Sequence, residues 1–165
     1  MVKGRLILSS LILIIGLLAV VHLYPSEEKK IKKQFSLLAK WISLEQNENA
    51  FTIAYKMKNM GDLFTDKINL KIPEYNLSGE HSRSDIISYA ARARLPFSQF
   101  SLQFHDFHIG FPDSETARVT VTGRIIGKWL KGEGLEETRE LEWVLKKDEK
   151  EWLFREMEVA EVLKK

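Results

Sequence analysis

The feature that most constrains this chain is an uninterrupted apolar run near its start, from Leu6 to Tyr24. The run holds 19 residues without a charge, and its only interruptions are Ser9, Ser10 and His22. As a helix it would be about 28 Å long, close to the roughly 30 Å hydrocarbon core of a bilayer. The sequence therefore predicts a transmembrane helix over Leu6–Tyr24. It divides the chain into a head and membrane anchor (1–24) and a domain (25–165).

The anchor has two interpretations, a cleaved signal peptide or an uncleaved signal anchor. The run is longer than the 7–15 apolar residues typical of a signal peptide. A cleavage site with small side chains is missing after it, because His22, Leu23 and Tyr24 are bulky. We therefore favour an uncleaved signal anchor.

The charges around the run bear on its orientation. Lys3 and Arg5, the only charged side chains before it, favour an N-terminus in the cytoplasm. We therefore predict a single-pass protein of a bacterial inner membrane whose C-terminal domain is extracytoplasmic. Several lysines follow the run closely and favour the opposite orientation, with the domain in the cytoplasm, so that alternative stays open: Lys29, Lys30, Lys32 and Lys33.

Composition excludes several classes of site. The chain has no cysteine, which removes disulfides, thiolate metal sites and a cysteine nucleophile. The net charge of +2 belongs to the head, so the domain is formally neutral, with acidic and basic residues interleaved. That pattern argues against a nucleic-acid partner. The sequence has no phosphate-binding glycine loop, and we expect no cofactor.

Three helices are predicted in the first half of the domain. A Ser26 cap and apolar residues at helical spacing predict a helix from about Glu27 to Glu45. The segment 49–60 fits both a strand and a helix, and we predict a short helix that ends near Gly61. A capping box of Ser82 and Asp85 opens a third helix, which ends near Leu95 because a proline follows.

The remaining segments alternate between apolar and polar residues, as strands do. The predicted strands are Lys67–Ile72, Ser98–Phe111, Thr116–Trp129, Leu135–Lys147 and Glu151–Val162. Helices that precede an antiparallel meander indicate an α+β fold.

The ending ELEWVLKKDEKEWLFREMEVAEVL, over residues 140–163, resembles the terminal hairpin of the nuclear transport factor 2-like (cystatin-related, SnoaL-like) superfamily. The order of the predicted elements is similar as well. The resemblance implies a cone-shaped domain in which helices pack on a curved, mostly antiparallel sheet around an internal pocket. It also implies a choice of functions, because the superfamily contains dehydratases, ketosteroid isomerases and polyketide cyclases beside non-catalytic members.

One polar cluster, His105-Asp106-x-His108, interrupts the long strand after the third helix. Its two histidines are three residues apart and so fall on opposite faces of a regular strand, which argues against a metal site. Asp106 and His108 share the face of Phe104, so in a regular strand both would point into the cone as an acid–base pair. By the resemblance, Tyr75, His81 and Tyr89 would then be helpers.

A β-bulge offers a second interpretation of this cluster. Phe107, Ile109 and Phe111 continue the apolar pattern in the opposite parity. A bulge near His105 or Asp106 would join the two apolar series on one face and turn the polar side chains toward solvent. We prefer this interpretation, and we assign no catalytic residue.

The sequence-based hypothesis is thus a membrane-anchored, non-catalytic binding or scaffolding domain of the cell envelope. Its partner would be an envelope protein or a small apolar ligand, and it would form homodimers through the open sheet face. The alternative is a small-molecule dehydratase or isomerase that uses Asp106 and His108 in the cone pocket.

Overall fold

Three helices lie against one six-stranded sheet in the computed structural model, which describes residues 26–160. The predicted membrane helix Leu6–Tyr24 lies outside the described residues, so the anchor and its orientation stay predictions. Between residues 26 and 160, no helix has the length and apolar character that crossing a membrane requires.

The helices are α1 (Glu27–Ile42), α2 (Ala50–Gly61) and α3 (Arg83–Arg94). The strands are β1 (Phe64–Ile72), β2 (Leu77–Ser82), β3 (Phe97–Asp113), β4 (Thr116–Trp129), β5 (Gly134–Asp148) and β6 (Glu151–Val159). The strand order in the sheet is β2-β1-β6-β5-β4-β3. The curved sheet does not close into a barrel, and the predicted α+β class is confirmed.

Two features of the sheet were not predicted. Strand β2 pairs antiparallel with β1, although its sequence LSGEHS has no apolar alternation. Strand β1 also pairs in parallel with β6, the last strand in the chain, so the sheet is mixed. Parallel pairing between distant segments leaves no turn signal in the sequence, because the two strands are not joined by a hairpin.

Local capping explains where the helices begin. The Ser26 hydroxyl accepts a hydrogen bond from the Lys29 N–H at the start of α1. The Asn49 side chain does the same for Thr52 at the start of α2, so the helix predicted over residues 49–60 is confirmed. Ser82 and Asp85 form the complete capping box at the start of α3.

The first turn of α1 is attached to the β5–β6 hairpin through Glu27. Its carboxylate accepts hydrogen bonds from Lys30 Nζ at 2.8 Å and from Trp152 Nε1 at 2.7 Å, and it lies 3.1 Å from Lys147 Nζ. The bond from Lys30 lowers the pKa of Glu27 to about 2, with smaller contributions from Trp152 and Lys147. The hairpin that carries the family resemblance is thereby fixed to the helix layer.

The core lies between α1 and the concave face of the sheet, and Phe35 is at its centre. The Phe35 ring is fully buried and makes edge-to-face contacts with four aromatic rings, at centroid distances between 4.9 and 5.7 Å. Those rings belong to Phe104, Phe107, Trp143 and Phe154. Aromatic side chains therefore fill the space between α1 and the curved sheet.

We expect Phe35→Ala to lower the free energy of unfolding by about 3–5 kcal/mol, because it removes a buried ring from a closely packed cluster. Phe51→Ala is the matched control, since Phe51 is 82% exposed on α2; its expected effect is within about 0.5 kcal/mol. Chemical denaturation of both variants measures the difference, and similar losses would contradict this account of the core.

Candidate functional site

The His105-Asp106-x-His108 cluster lies on a β-bulge in β3. The pairing with β4 shifts register between His105 and His108, and Asp106 adopts a positive φ of 54°. The side chains of His105, Asp106 and His108 are exposed, whereas Phe104 and Phe107, on either side of the bulge, both contact Phe35. The preferred bulge interpretation is confirmed, and the prediction that Asp106 and His108 point into the cone is wrong.

The predicted helper residues are in different places. Tyr75 lies in a single 3-10 turn between β1 and β2 and is 72% exposed. The Tyr89 hydroxyl lies 3.2 Å from His81 Nδ1, so β2 and α3 do bring those two side chains together. His81 does not lie near the bulge in strand order, because its strand β2 and the bulged strand β3 are opposite edges of the sheet.

A pocket of about 530 Å³ opens at one end of the domain. It lies among the α1–α2 loop (43–49), α2, the last turn of α3, and the ends of β3 and β4. Its apolar lining comes from Leu44, Ile53, Ala91, Leu95, Phe97 and Leu130. Its volume is in the range of small-molecule sites, which are also mostly apolar.

Phe97 forms one wall of this pocket and is held in place by β4. Its ring stacks on Trp129 at a centroid distance of 4.2 Å. A Cβ atom at Gly127 would come within 2.7 Å of the ring, so glycine at this position leaves room for it. The α1–α2 loop closes the opposite side and is tied to β3 by two backbone hydrogen bonds between Leu44 and Phe100, of 2.7 and 2.9 Å.

Three charged side chains form a buried cluster beside this pocket. The exposed fractions of the side chains are 4% for Arg94, 6% for Glu48 and 12% for Lys56. Arg94 Nη2 donates to Glu48 Oε2 and to the Ser43 carbonyl, both at 3.1 Å. Lys56 Nζ donates to Glu48 Oε1 and to the same carbonyl. The cluster connects α2, α3 and the α1–α2 loop.

The charges in the cluster determine its protonation. Burial alone would raise the pKa of Glu48, but hydrogen bonds from Lys56 and from the Glu45 N–H, together with the charges of Lys56 and Arg94, outweigh burial and lower it. Burial lowers the pKa of Arg94, and Glu48 opposes that change. Arginine nevertheless stays protonated in proteins. One carboxylate therefore faces two cations, and the cluster has a net positive charge.

Arg94 has donors that the cluster does not use. Its Nε and Nη1 atoms are buried and have no hydrogen-bond acceptor among the described residues. A buried donor without an acceptor costs about 1–3 kcal/mol, more when it is charged. Arg94 also lines the pocket, although these two nitrogens are themselves shielded from solvent.

A carboxylate with more freedom, Glu45, also lines the pocket. Its side chain is 83% exposed, and its only ion pair within residues 26–160 is a 4.0 Å contact with Lys56. Glu48, by contrast, accepts hydrogen bonds on both oxygens. Of the two, Glu45 has the lone pairs available to accept a proton from a bound molecule.

Sequence reasoning missed this site. Arg94 looks like an ordinary basic residue in the last turn of a helix. One signal was present: Ile86, Ala90 and Arg94 are four residues apart, and Ile86 and Ala90 face the core. A charge at the third position of that buried series indicates a buried cation. The loop that supplies Glu45 and Glu48 has no pattern that predicts its position.

The outer face of the sheet, where a homodimer interface was predicted, is strongly charged. A shallow depression of about 220 Å³ there is lined by side chains that include Arg118, Glu142, Glu156 and Glu158. Glu142 and Glu158 are direct cross-strand partners, an arrangement in which like charges repel. Dimerisation through this face stays a prediction.

Solved structures of other proteins share this fold. One, described as a dehydratase of the nuclear transport factor 2-like family from Streptomyces avermitilis, has 13% identity and a TM-score of 0.66, and the match covers 84% of this chain and 99% of that one. Another, described as a scytalone dehydratase from Novosphingobium aromaticivorans, has 14% identity, a TM-score of 0.63, and coverage of 81% and 83%. A hexachlorocyclohexane dehydrochlorinase has 9% identity, a TM-score of 0.64, and coverage of 82% and 84%. No family model and no curated protein sequence matches the chain.

These comparisons show that the domain has the nuclear transport factor 2-like fold, so the resemblance found in the sequence is confirmed. They also overturn the preferred function. The similar structures are named as dehydratases and a dehydrochlorinase, which favours the enzyme alternative over a non-catalytic binding or scaffolding domain. Identities of 9–14% show the fold alone, so the activity of this chain is a matter for proposal.

The buried cluster makes a prediction about stability and pH. Because the pKa of Glu48 is lower in the folded state than its ordinary 4.5, its ion pairs stabilise the fold above that value. That contribution is lost as the pH falls through the folded-state pKa. We expect Glu48→Gln to lower the free energy of unfolding by about 3 kcal/mol at pH 7, and to weaken its dependence on pH below 4.5.

The matched control is Glu136→Gln. Glu136 forms an ion pair with Arg124, and their side chains are 59% and 40% exposed, so the expected loss is about 0.2–1 kcal/mol. Denaturation curves at several pH values between 3 and 7 measure both variants. An equal loss in the two would show that the Glu48 cluster does not behave as a buried one.

Proposed function

We propose that this domain is a small-molecule lyase or isomerase of the acid–base type, and that its active site is the pocket beside Glu45, Glu48 and Arg94. The carrying observation is that this pocket combines an apolar lining with a buried, net positive cluster and an exposed carboxylate. The names of the similar structures, which include dehydratases and a dehydrochlorinase, support the same class of reaction.

The proposed reaction begins with proton transfer from carbon to Glu45. The C–H bond next to a substrate carbonyl breaks, its proton moves to the Glu45 carboxylate, and the electron pair moves onto the carbonyl oxygen. The net positive charge of the cluster stabilises that oxygen. In a lyase, the carbonyl then re-forms, a double bond forms between the two carbons, and a group leaves the neighbouring carbon with its bonding electron pair; Glu45 gives its proton to that group or to water. An isomerase instead returns the proton to a different carbon.

The apolar lining has a role in this step. Leu44, Ile53 and Phe97 keep water away from the apolar side of the bound molecule, and electrostatic interactions are stronger where water is excluded. Glu48 acts as a positioning residue, because both its oxygens are occupied by Lys56, Arg94 and the Glu45 N–H. It holds the loop on which Glu45 is placed.

Exchange of hydrogen for deuterium tests this proposal without knowledge of the natural substrate. Proton abstraction next to a carbonyl is followed in heavy water by return of deuterium, which mass spectrometry detects in the recovered compound. The full-length protein is incubated with a panel of small cyclic and aromatic ketones. We expect exchange into at least one compound, reduced at least a hundredfold by Glu45→Gln, because general-base catalysis contributes 10²–10⁴-fold.

The control is a double variant of the bulge, Asp106→Asn with His108→Gln, which we expect to exchange at the rate of the unmodified protein. Loss of exchange in this double variant, with full activity in Glu45→Gln, would return the active site to β3. Equal rates in all three proteins would leave Glu45 without a role in the reaction.

We also propose that Leu6–Tyr24 holds this enzyme at the cytoplasmic membrane with the domain on the extracytoplasmic side. The uncharged run and the cations Lys3 and Arg5 support this. Alkaline phosphatase fused after Lys165 should be active in bacterial cells, because that reporter folds only outside the cytoplasm. Deletion of residues 1–24 should abolish its activity. An inactive fusion to the full-length chain would place the domain in the cytoplasm.

A further inference from the structure

We propose that the outer face of α1 binds the headgroups of anionic phospholipids. The inference rests on the proposed anchor over Leu6–Tyr24 and not on the proposed chemistry of the pocket. It begins from the lysine stripe, a set of four side chains of α1 that are exposed and form no ion pair within residues 26–160: Lys29, Lys32, Lys33 and Lys40.

The lysine stripe occupies one side of the helix. Successive residues of an α-helix are rotated by about 100°, which places the four lysines and the exposed Ser36 within an arc of about 100° and along about 16 Å of the helix axis. The buried residues Ile31, Phe35 and Leu38 lie on the opposite side, against the sheet. The stripe therefore points away from the sheet.

The carboxylates of α1 do not neutralise the stripe. The helix contains five lysines and two glutamates, so its net charge is +3. Glu27 is already bound to Lys30 and Lys147, and Glu28, the other acidic residue, lies outside the arc. Two of the stripe lysines lie over the rings of Phe107 and Trp41, but a ring does not cancel the charge of an ammonium group. The positive charge of the stripe is thus available to an external partner.

The position of α1 in the chain identifies that partner as a membrane. Tyr24, where the predicted span ends, is three residues before Glu27, a separation of at most about 11 Å. The headgroup layer is roughly 5–8 Å thick on each side of the hydrocarbon core, so α1 begins within it or close to it. Ser26 is extended, with φ −57° and ψ 152°, so the axis of α1 does not have to continue that of the span. The helix is able to lie along the membrane surface.

The charge of the stripe selects the lipid. A negatively charged membrane surface attracts basic residues that adjoin a span. Lysine is a compact point charge on a flexible stem, which suits an array of mobile phosphate groups better than it suits a planar, bidentate ligand. The anchor brings the stripe to the headgroups whichever side of the membrane the domain occupies. In this arrangement the outer face of the sheet is turned away from the membrane.

Fluorescence quenching by lipids that carry a nitroxide on the headgroup tests this inference. The chain has no cysteine, so Ser36→Cys gives the full-length protein one thiol in the middle of the stripe for a fluorescent label. We expect quenching in nanodiscs to rise about twofold or more when phosphatidylglycerol replaces part of the phosphatidylcholine. The increase should disappear in about 1 M salt, which screens charges beyond roughly 3 Å.

Thr138→Cys is the matched control for the position of the label. Thr138 is exposed on β5 and pairs with Arg124 on the outer face of the sheet, and we expect phosphatidylglycerol to leave its quenching unchanged. Both labelled proteins retain all four lysines of the stripe, so this comparison remains decisive if a charge variant fails to fold.

Two sets of substitutions assign the effect to the stripe. Replacement of its four lysines by glutamine in the Ser36→Cys protein should abolish the increase in quenching. The matched control removes the same charge from four exposed lysines on the strands and turns of the sheet, and we expect it to retain the increase: Lys67→Gln, Lys71→Gln, Lys128→Gln and Lys131→Gln.

Several results would overturn the inference. Equal quenching of Ser36→Cys with and without phosphatidylglycerol would remove the lipid partner, and equal losses in the two glutamine sets would remove the assignment to α1. Co-elution of the protein with phosphatidylcholine nanodiscs tests the anchor separately. Co-elution without lipid-dependent quenching would leave the anchor standing and end this inference, whereas co-elution only with phosphatidylglycerol would support the stripe and contradict the anchor.

Discussion

The packing of Phe35 against four aromatic rings is the interaction on which the rest of the structure depends. It joins α1 to three strands of the sheet, and it fills the space between that helix and the curved sheet. Because that interior is occupied, the pocket lies at the end of the domain, where the α1–α2 loop spans the gap between two helices and β3. The position of the candidate site thus follows from how the core is filled.

Much of the fold could be predicted because its signals are local. Ser82 with Asp85 and the alternation in β4 each depend on residues within one element, and the structure has both. Strand β2 and the parallel pairing of β1 with β6 depend on contacts between segments far apart in the chain, and they were missed.

The candidate site was missed because it too depends on contacts between segments far apart in the chain. In addition, the sequence analysis favoured histidine and aspartate as catalytic residues. A histidine beside an aspartate is typical of an acid–base pair in an active site, yet here the two residues are exposed on a β-bulge. Arg94 and Glu48 are 46 residues apart in the sequence, and neither is conspicuous alone. Their burial, and the donors that Arg94 leaves unused, are properties of the assembled structure. The function predicted from the sequence rested on the predicted anchor and on the lack of a catalytic constellation in the sequence. It was wrong, because the similar structures are named as dehydratases and a dehydrochlorinase.

The bulge at Asp106 has a consequence that concerns assembly rather than chemistry. Strand β3 is 17 residues long and lies at an edge of the sheet, and a long, flat edge invites pairing with the strand of another molecule. The positive φ of Asp106 interrupts the regular row of backbone groups, and the exposed His105 and His108 line the same interruption. The residues that most resembled a catalytic motif thus make this edge of the sheet irregular, a feature that disfavours pairing with another strand.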